Sequence, residues 1–145
     1  MIVMTMEAME NEQEITVAAT IEQIPAISDF IERLMSLAGF DSRKILEVQL
    51  ALEEACTNVA KYAYPGKTGT IHIVARVDGD RLVLIIEDEG IPFDPTTHIM
   101  ALSQADTKDR PVGGLGIHLI RCYVDGMSFE FRDGKNALTL VKKRA

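Results

Sequence analysis

The chain has 145 residues, 47% of them hydrophobic and 26% charged, which is enough for one globular domain with its own core. Its formal net charge of −7 argues against nucleic-acid and anionic-lipid partners, because both repel an acidic surface. The longest apolar run, Leu82 to Ile86, is too short to span a bilayer, and the N-terminus does not have the pattern of a signal peptide. We therefore expect a cytoplasmic protein without membrane or nucleic-acid partners.

Apolar periodicity and turn residues divide the chain into a flexible leader at 1–13 and a single domain at 14–145. The terminal basic run 142–144 is expected to be a solvated tail, and Cys56 and Cys122 are expected to be buried free thiols. The predicted elements in chain order are a strand at 14–20, helices at 25–38 and 42–63, strands at 70–78 and 81–88, a loop at 89–112, a helix at 115–124, and strands at 126–133 and 136–143.

This element order predicts the α+β class. Most strands follow one another through short turns, such as Asp78-Gly79-Asp80, so the sheet is expected to be mixed and mostly antiparallel. Helices are expected to cover one face of it, giving a two-layer α/β sandwich. The pattern is not a series of βαβ units, so the later glycine cluster is not interpreted as a Rossmann dinucleotide fingerprint.

A glycine-rich turn, with Gly113, Gly114 and Gly116, leads directly into the apolar helical run that follows. Backbone N–H groups at such a turn and at the start of a helix form a suitable site for phosphate. A simple tight turn explains the same glycines, so the turn alone does not settle the function.

The second predicted helix carries a polar stripe of Glu47, Glu54, Asn58 and Lys61, opposite its apolar stripe. Such a stripe is often only the solvated side of a helix. However, Glu54 and Asn58 are four residues apart and therefore neighbours on the helix surface. A carboxylate beside a carboxamide oxygen is suited to a Mg²⁺ site completed by phosphate and water, or to general-base chemistry.

An apolar strand ends at Asp88, and Gly90 follows two residues later. Asp88 could simply end the strand in an Asx-turn. Alternatively, its carboxylate accepts a hydrogen bond from the exocyclic amine of a base, while Gly90 leaves room for a flat ring.

Taken in order, Glu54-x-x-x-Asn58, Asp88-x-Gly90 and Gly113-Gly114-Leu115-Gly116 resemble the N, G1 and G2 boxes of the Bergerat-type (GHKL) ATP-binding fold. The sequences EEACTN, DEGIPFDP and DRPVGGLGIHLI further resemble the stand-alone anti-sigma-factor serine/threonine kinases of the RsbW/SpoIIAB type. The resemblance covers about residues 14–143 and implies binding of ATP or ADP with Mg²⁺.

The resemblance also implies residue roles. Glu54 is the expected base, and Asn58 is the expected Mg²⁺ ligand. Asp88 and Gly90 are expected at the adenine. The remaining nucleotide contacts that it implies are Gly113, Gly114, Leu115 and Gly116 at the phosphates, Thr139 at adenine, and Arg110 at the partner or the phosphates.

Three functions remain open from the sequence. The first is a kinase that phosphorylates a serine of an anti-sigma-factor antagonist protein. The second is a nucleotide-dependent module that sequesters a regulator, such as a sigma factor, with little or no kinase activity. The third is an ATPase whose hydrolysis gates a conformational change. The resemblance also implies a homodimer.

Overall fold

A computed structural model describes residues 12–94 and 114–145. A 3₁₀ turn at Ile21–Gln23 precedes the first helix, and a π-helical turn at Val59–Ala63 extends the second. The strands and helices are β1 (Glu12–Ala18), α1 (Ile24–Leu37), α2 (Ser42–Asn58), β2 (Thr70–Asp78), β3 (Arg81–Asp88), α3 (Gly114–Tyr123), β4 (Gly126–Arg132) and β5 (Lys135–Lys143).

The five described strands form one sheet in the order β1-β2-β3-β5-β4. Every pairing between them is antiparallel, which confirms the predicted α+β sandwich and removes the mixed character that had been allowed for its sheet. β1 begins at Glu12, so residues 12 and 13 belong to the sheet and not to the predicted leader. The helix predicted over 42–63 is correct in extent, but its last five residues are π-helical.

The two faces of the sheet differ because side chains alternate along a strand. Alternate residues of β2, β3 and β5 are buried, as in Ile71, Ile73 and Ala75 of β2. These residues join the core with the apolar sides of the helices, so the helix-covered face of the sheet is its inner face. At one end of this face the apolar pattern gives way to two buried polar side chains, Asp88 and Asn136.

Local sequence explains where the helices begin. Asp41 caps α2, since its side chain accepts a hydrogen bond from the backbone N–H of Lys44 at 2.9 Å. Pro25 lies in the first turn of α1. Backbone N–H groups in this turn have no acceptor within the helix, so the absence of an N–H in proline costs no hydrogen bond. On one flank of α2, Gln49 Nε2 donates to the carbonyl of Ser28 in α1 at 3.2 Å. On its other flank α2 packs against α3.

The basic C-terminal run differs from the prediction of a solvated tail. Lys142 is buried on the inner face, and its ammonium group donates to Glu47 Oε1 at 2.8 Å and to the carbonyl of Tyr123 at 2.5 Å. Arg144 donates to the carbonyl of Ala38 at 3.1 Å. The prediction of a solvated tail was wrong because β5 continues through Lys143, and the alternation of side chains along the strand directs Lys142 to the inner face.

The two thiols also differ from one another. Cys56 is buried in α2 as predicted, whereas Cys122 is exposed, so the prediction for Cys122 was wrong. Among the described helices, none has the length and apolar character that a membrane span requires.

Candidate nucleotide-binding site

The C-terminal end of α2 presents the two residues of the predicted N box. Glu54 and Asn58 are both partly buried, one helical turn apart. The Nδ2 atom of Asn58 is buried and has no hydrogen-bond partner among residues 12–94 and 114–145. An unsatisfied buried amide costs free energy, so this group marks a position where a ligand could supply the missing partner.

The polar stripe of α2 is not simply its solvated side. Glu47 is 25% exposed and forms an ion pair with the buried Lys142. Glu54 and Asn58 lie about two and three helical turns further along the same flank, and Lys61, beyond the helix proper, is exposed. Of the four residues in the stripe, only Lys61 is solvent-exposed, as the interpretation of the stripe as the solvated side of the helix requires.

Lys142 also links α2 to α3. It touches Glu47, in the N-terminal half of α2, and the carbonyl of Tyr123, the last residue of α3. The two helices pack against each other, and this ammonium group joins them at the end of α3. The described part of α3 starts at Gly114 and has Leu115 and Gly116 in its first turn.

Asp88 ends β3 on the inner face and is 7% exposed. Its Oδ1 atom accepts two hydrogen bonds, from the backbone N–H of Gly90 at 2.9 Å and from Asn136 Nδ2 at 2.8 Å. Burial raises the pKa of Asp88 above its ordinary value of 3.8, while the bonds from Asn136 and Gly90 act in the opposite direction. The result is a fixed, largely dehydrated acceptor at the end of the sheet.

Gly90 allows the chain after β3 to approach the end of the second helix. A Cβ atom at this position would lie 2.3 Å from the carbonyl oxygen of Ala63 and 2.6 Å from its Cβ. The next residue completes the contact, because the N–H of Ile91 donates to the same Ala63 carbonyl at 2.9 Å. Gly90 was predicted to shape a base pocket, and the structure shows close backbone packing of this residue against the π-helical turn.

Tyr64, directly after the π-helical turn, links this turn to β2 and β3. Its hydroxyl donates to the carbonyl of Thr70 at 2.6 Å and accepts from the N–H of Glu89 at 2.8 Å. Its ring lies where a Cβ of Gly69 would stand, 2.2 Å from the nearest ring carbons. Tyr64 belongs to the YAY segment of the sequence, but its role in holding the site together had not been predicted.

Asn136 was also missed, and it occupies the place expected for Thr139. Residues pair across β3 and β5 as Asp88 with Asn136 and Ile85 with Thr139. Thr139 alternates with the buried residues of β5, so it lies on the outer face, away from Asp88. The assignment of Thr139 to the adenine is therefore wrong. The short turn at Asp133-Gly134 was the only sequence signal for this register.

The remaining predicted residues fall partly beyond what is described. Arg110 and Gly113 lie outside the described residues. For Gly114, Leu115 and Gly116 the helical backbone is described and the side-chain environment is not. The described contacts join the π-helical turn that follows Asn58 to Gly90, and join Asp88 to Asn136.

Comparison with known proteins identifies the family of this chain. Residues 17–142 match the family model described as the histidine kinase-like ATPase domain. In fold, the chain is similar to a crystal structure of the RsbU and RsbW domains of a Mycobacterium tuberculosis protein, with a TM-score of 0.66 and 18% sequence identity over 91% of this chain. The match spans 32% of that protein's own length.

Two curated relatives are similar over most of their length. The serine/threonine-protein kinase BtrW of Bordetella bronchiseptica is 29% identical over 117 residues, which are 80% of this chain and 82% of BtrW. The serine-protein kinase RsbW of Bacillus cereus is 28% identical over 129 residues, which are 86% of this chain and 81% of RsbW. Because the family model covers most of the sequence, the chain belongs to the histidine kinase-like ATPase domain family.

Proposed function

We propose that this protein is an ATP-dependent protein serine/threonine kinase that regulates an anti-sigma-factor system by phosphorylating a serine of an antagonist protein. The observation that carries the proposal is the buried amide of Asn58, which has no partner within the described part of the chain and lies one turn after Glu54 in α2. The names of the relatives BtrW and RsbW support the same activity.

In this proposal the nucleotide lies between the end of the sheet and the start of α3. Asp88 accepts a hydrogen bond from the adenine amine through its carboxylate, in a position already shielded from water. The first turn of α3, with Gly114 and Gly116, offers backbone N–H groups and the positive end of the helix dipole to the phosphates.

The residues present fit a Mg²⁺ ion bound with the nucleotide. Asn58 supplies a carboxamide whose NH₂ group has no partner within the described chain, so the side chain is not committed to another contact through that group. Mg²⁺ usually takes few protein ligands and completes its shell with water and phosphate oxygens, which suits a single amide oxygen at this position. When bound, the ion would neutralise charge on the β- and γ-phosphates.

Glu54 would then act as the general base. It makes no ion pair with the other described residues, so its carboxylate is available to a substrate. It takes the proton from a serine hydroxyl of the partner while the serine oxygen forms a bond to the γ-phosphorus. The bond from that phosphorus to the β-phosphate oxygen breaks, and ADP leaves with the electron pair.

The protein partners belong to the same proposal. The antagonist protein is the substrate, a sigma factor is a second partner, and the chain works as a cytoplasmic homodimer. The competing function is a nucleotide-dependent binding module that sequesters a regulator without transferring phosphate. Both functions need the same nucleotide contacts, and only the kinase needs the base, so Glu54 separates the two.

The test compares Glu54→Gln with Glu53→Gln. Glu53 is the neighbouring residue, is exposed, and loses the same charge in its variant. We expect Glu54→Gln to bind ATP within a few-fold of wild type but to transfer phosphate to a partner serine, or hydrolyse ATP without a partner, ~10²–10⁴-fold more slowly. Glu53→Gln should transfer at the wild-type rate.

Each outcome distinguishes the candidates. A wild-type rate in Glu54→Gln would remove the kinase mechanism at its base and favour the binding module. Absence of ATP binding by the folded wild-type protein would remove the nucleotide site itself, whichever activity it serves. Calorimetry with ATP and ADP, with and without Mg²⁺, measures the second point.

A further inference from the structure

The Asn136 side chain uses all of its hydrogen-bonding groups. Its Nδ2 atom donates to Asp88 Oδ1 and to the carbonyl of Ile91, both at 2.8 Å, and its Oδ1 atom accepts from the N–H of Phe93 at 3.0 Å. The residue is 5% exposed. A flipped amide would set a donor against the Phe93 N–H and an acceptor against the carboxylate, so only this orientation satisfies its neighbours.

The hydrogen bond from Asn136 helps to make the two oxygens of Asp88 unequal. Oδ1 receives both donors, Gly90 N–H and Asn136 Nδ2, whereas Oδ2 accepts none from the residues that the structure describes. A carboxylate oxygen has lone pairs for further donors, and the free one here is fixed in direction by the bonds to the other. Without Asn136 the carboxylate could rotate and share its donors between both oxygens.

Asn136 also holds the segment that leaves β3. Its bonds to Ile91 and Phe93 fasten both ends of the stretch 91–93 to β5. The same side chain therefore connects the predicted base acceptor to the beginning of the loop that follows it.

We propose that Asn136 is a positioning and specificity-determining residue, which rests on the proposed nucleotide-binding function. By filling Asp88 Oδ1, it presents Oδ2 as a single, directed acceptor and so selects a purine that carries an amino group at the facing carbon. Through Ile91 and Phe93 it separately holds the loop that borders the base.

The experiment pairs variants of Asn136 with two nucleotides that differ only in the amine. ATP is compared with purine riboside triphosphate, which has hydrogen in place of the amino group, and binding is measured by calorimetry at alkaline pH, which favours the doubly ionised form of the carboxyl pair in an aspartate variant. Wild type should prefer ATP by ~10-fold or more, the value of one charge-assisted hydrogen bond. Asn136→Asp is isosteric but lacks the N–H donors to both Asp88 and Ile91, so both nucleotides should weaken, and ATP should weaken ~10-fold or more beyond the analogue.

The pH dependence of the nucleotide preference gives a second test with the same variant. A proton shared between the introduced carboxyl group and that of Asp88 would restore a donor, so the preference for ATP should return as the pH falls. Thr139→Ala, three residues along β5 and on the outer face, is the matched control and should bind both nucleotides like wild type.

Asn136→Thr covers the case in which the aspartate variant does not fold. Its hydroxyl can donate to Asp88 but cannot also serve Ile91 and Phe93, so both nucleotides should weaken by the same factor while the preference for ATP remains. Equal weakening of both nucleotides by Asn136→Asp, or loss of preference in Asn136→Thr, overturns the inference. Failure of wild type to bind ATP removes the proposed function as well, whereas equal wild-type binding of ATP and the analogue removes only this inference.

Discussion

Asp88 and Asn136 face each other across adjacent antiparallel strands, and the amide of Asn136 donates to Asp88 Oδ1 at 2.8 Å. Both residues are buried at the end of an otherwise apolar sheet face. A buried carboxylate is costly unless it is hydrogen-bonded, and the two donors on Oδ1 offset only part of this cost, because the pKa of Asp88 stays raised. The protein therefore keeps a destabilising charge at the position where base recognition is proposed.

Asp88→Asn should separate stability from binding. The new amide oxygen can accept both existing hydrogen bonds, and its NH₂ group replaces the free Oδ2. The NH₂ group of the new asparagine would then face the amino group of adenine, and two donors cannot form a hydrogen bond. ATP binding should therefore weaken ~10–150-fold, a loss of about 1.5–3 kcal/mol. Calorimetry measures this loss, and wild-type affinity in the variant would mean that Asp88 only ends a strand.

The same substitution should change how stability depends on pH. Because the pKa of Asp88 is raised in the folded state, the folded protein binds a proton more tightly than the unfolded chain. Asp88 therefore contributes a loss of stability as pH rises from its ordinary value of 3.8 through the raised folded value. Urea unfolding across this window should show that loss in wild type and in an Asp78→Asn control, and not in Asp88→Asn. Parallel curves for wild type and Asp88→Asn would contradict the prediction.

Local patterns in the sequence predicted most of the fold, because they depend on neighbouring residues. The capping of α2 by Asp41 and the alternation of β2 are of this kind. The wrong assignment of Thr139 came from long-range register. Asn136 and Thr139 differ by three residues, and only the pairing of β5 with β3 shows which of them faces Asp88.

For the candidate site, the sequence could predict only what depends on local periodicity. Glu54 and Asn58 followed from helix periodicity, and their shared flank is present in the structure. Tyr64 and Lys142 could not be found in this way, since each acts through partners distant in the chain. Lys142 in particular has the composition of a solvated tail and the environment of a core residue.

Gly90→Ala should disturb the loop after β3. The added methyl would lie 2.3 Å from a backbone oxygen of Ala63, which cannot move as freely as a side-chain end. We expect a loss of about 1–3 kcal/mol in the free energy of unfolding, with weaker ATP binding as the Ile91 contact opens. Chemical denaturation measures the first effect. Gly126→Ala is the control, since its Cβ would meet Val141 at an ordinary 3.4 Å and should change stability little.

The two cysteines should react at different rates with a thiol reagent such as a disulfide dye. Cys122 is exposed, whereas burial raises the pKa of Cys56 to about 12 and leaves almost no thiolate at neutral pH. The native protein should show one fast thiol and one that reacts only on unfolding. Cys122→Ser should abolish the fast phase, and a fast phase that survives in this variant would show that Cys56 is accessible.

Lys142 and Glu47 should act as a coupled pair that joins the start of α2 to the end of α3. The side chain of Lys142 is 9% exposed and that of Glu47 is 25% exposed, so solvent screens their 2.8 Å contact only in part. Lys142→Met keeps the apolar stem but removes the donor to the Tyr123 carbonyl and leaves Glu47 only its longer, 3.7 Å ion pair with the exposed Arg43, at a cost of about 2–4 kcal/mol. Glu47→Gln retains an acceptor and should cost less. The double variant should cost clearly less than the sum of the two, because neither substitution then leaves an uncompensated charge. Urea unfolding gives these values, and faster hydrogen exchange in α3 of Lys142→Met would show that its end has been released. Additive costs, or unchanged exchange in α3, would mean that the contact does not hold the two helices together.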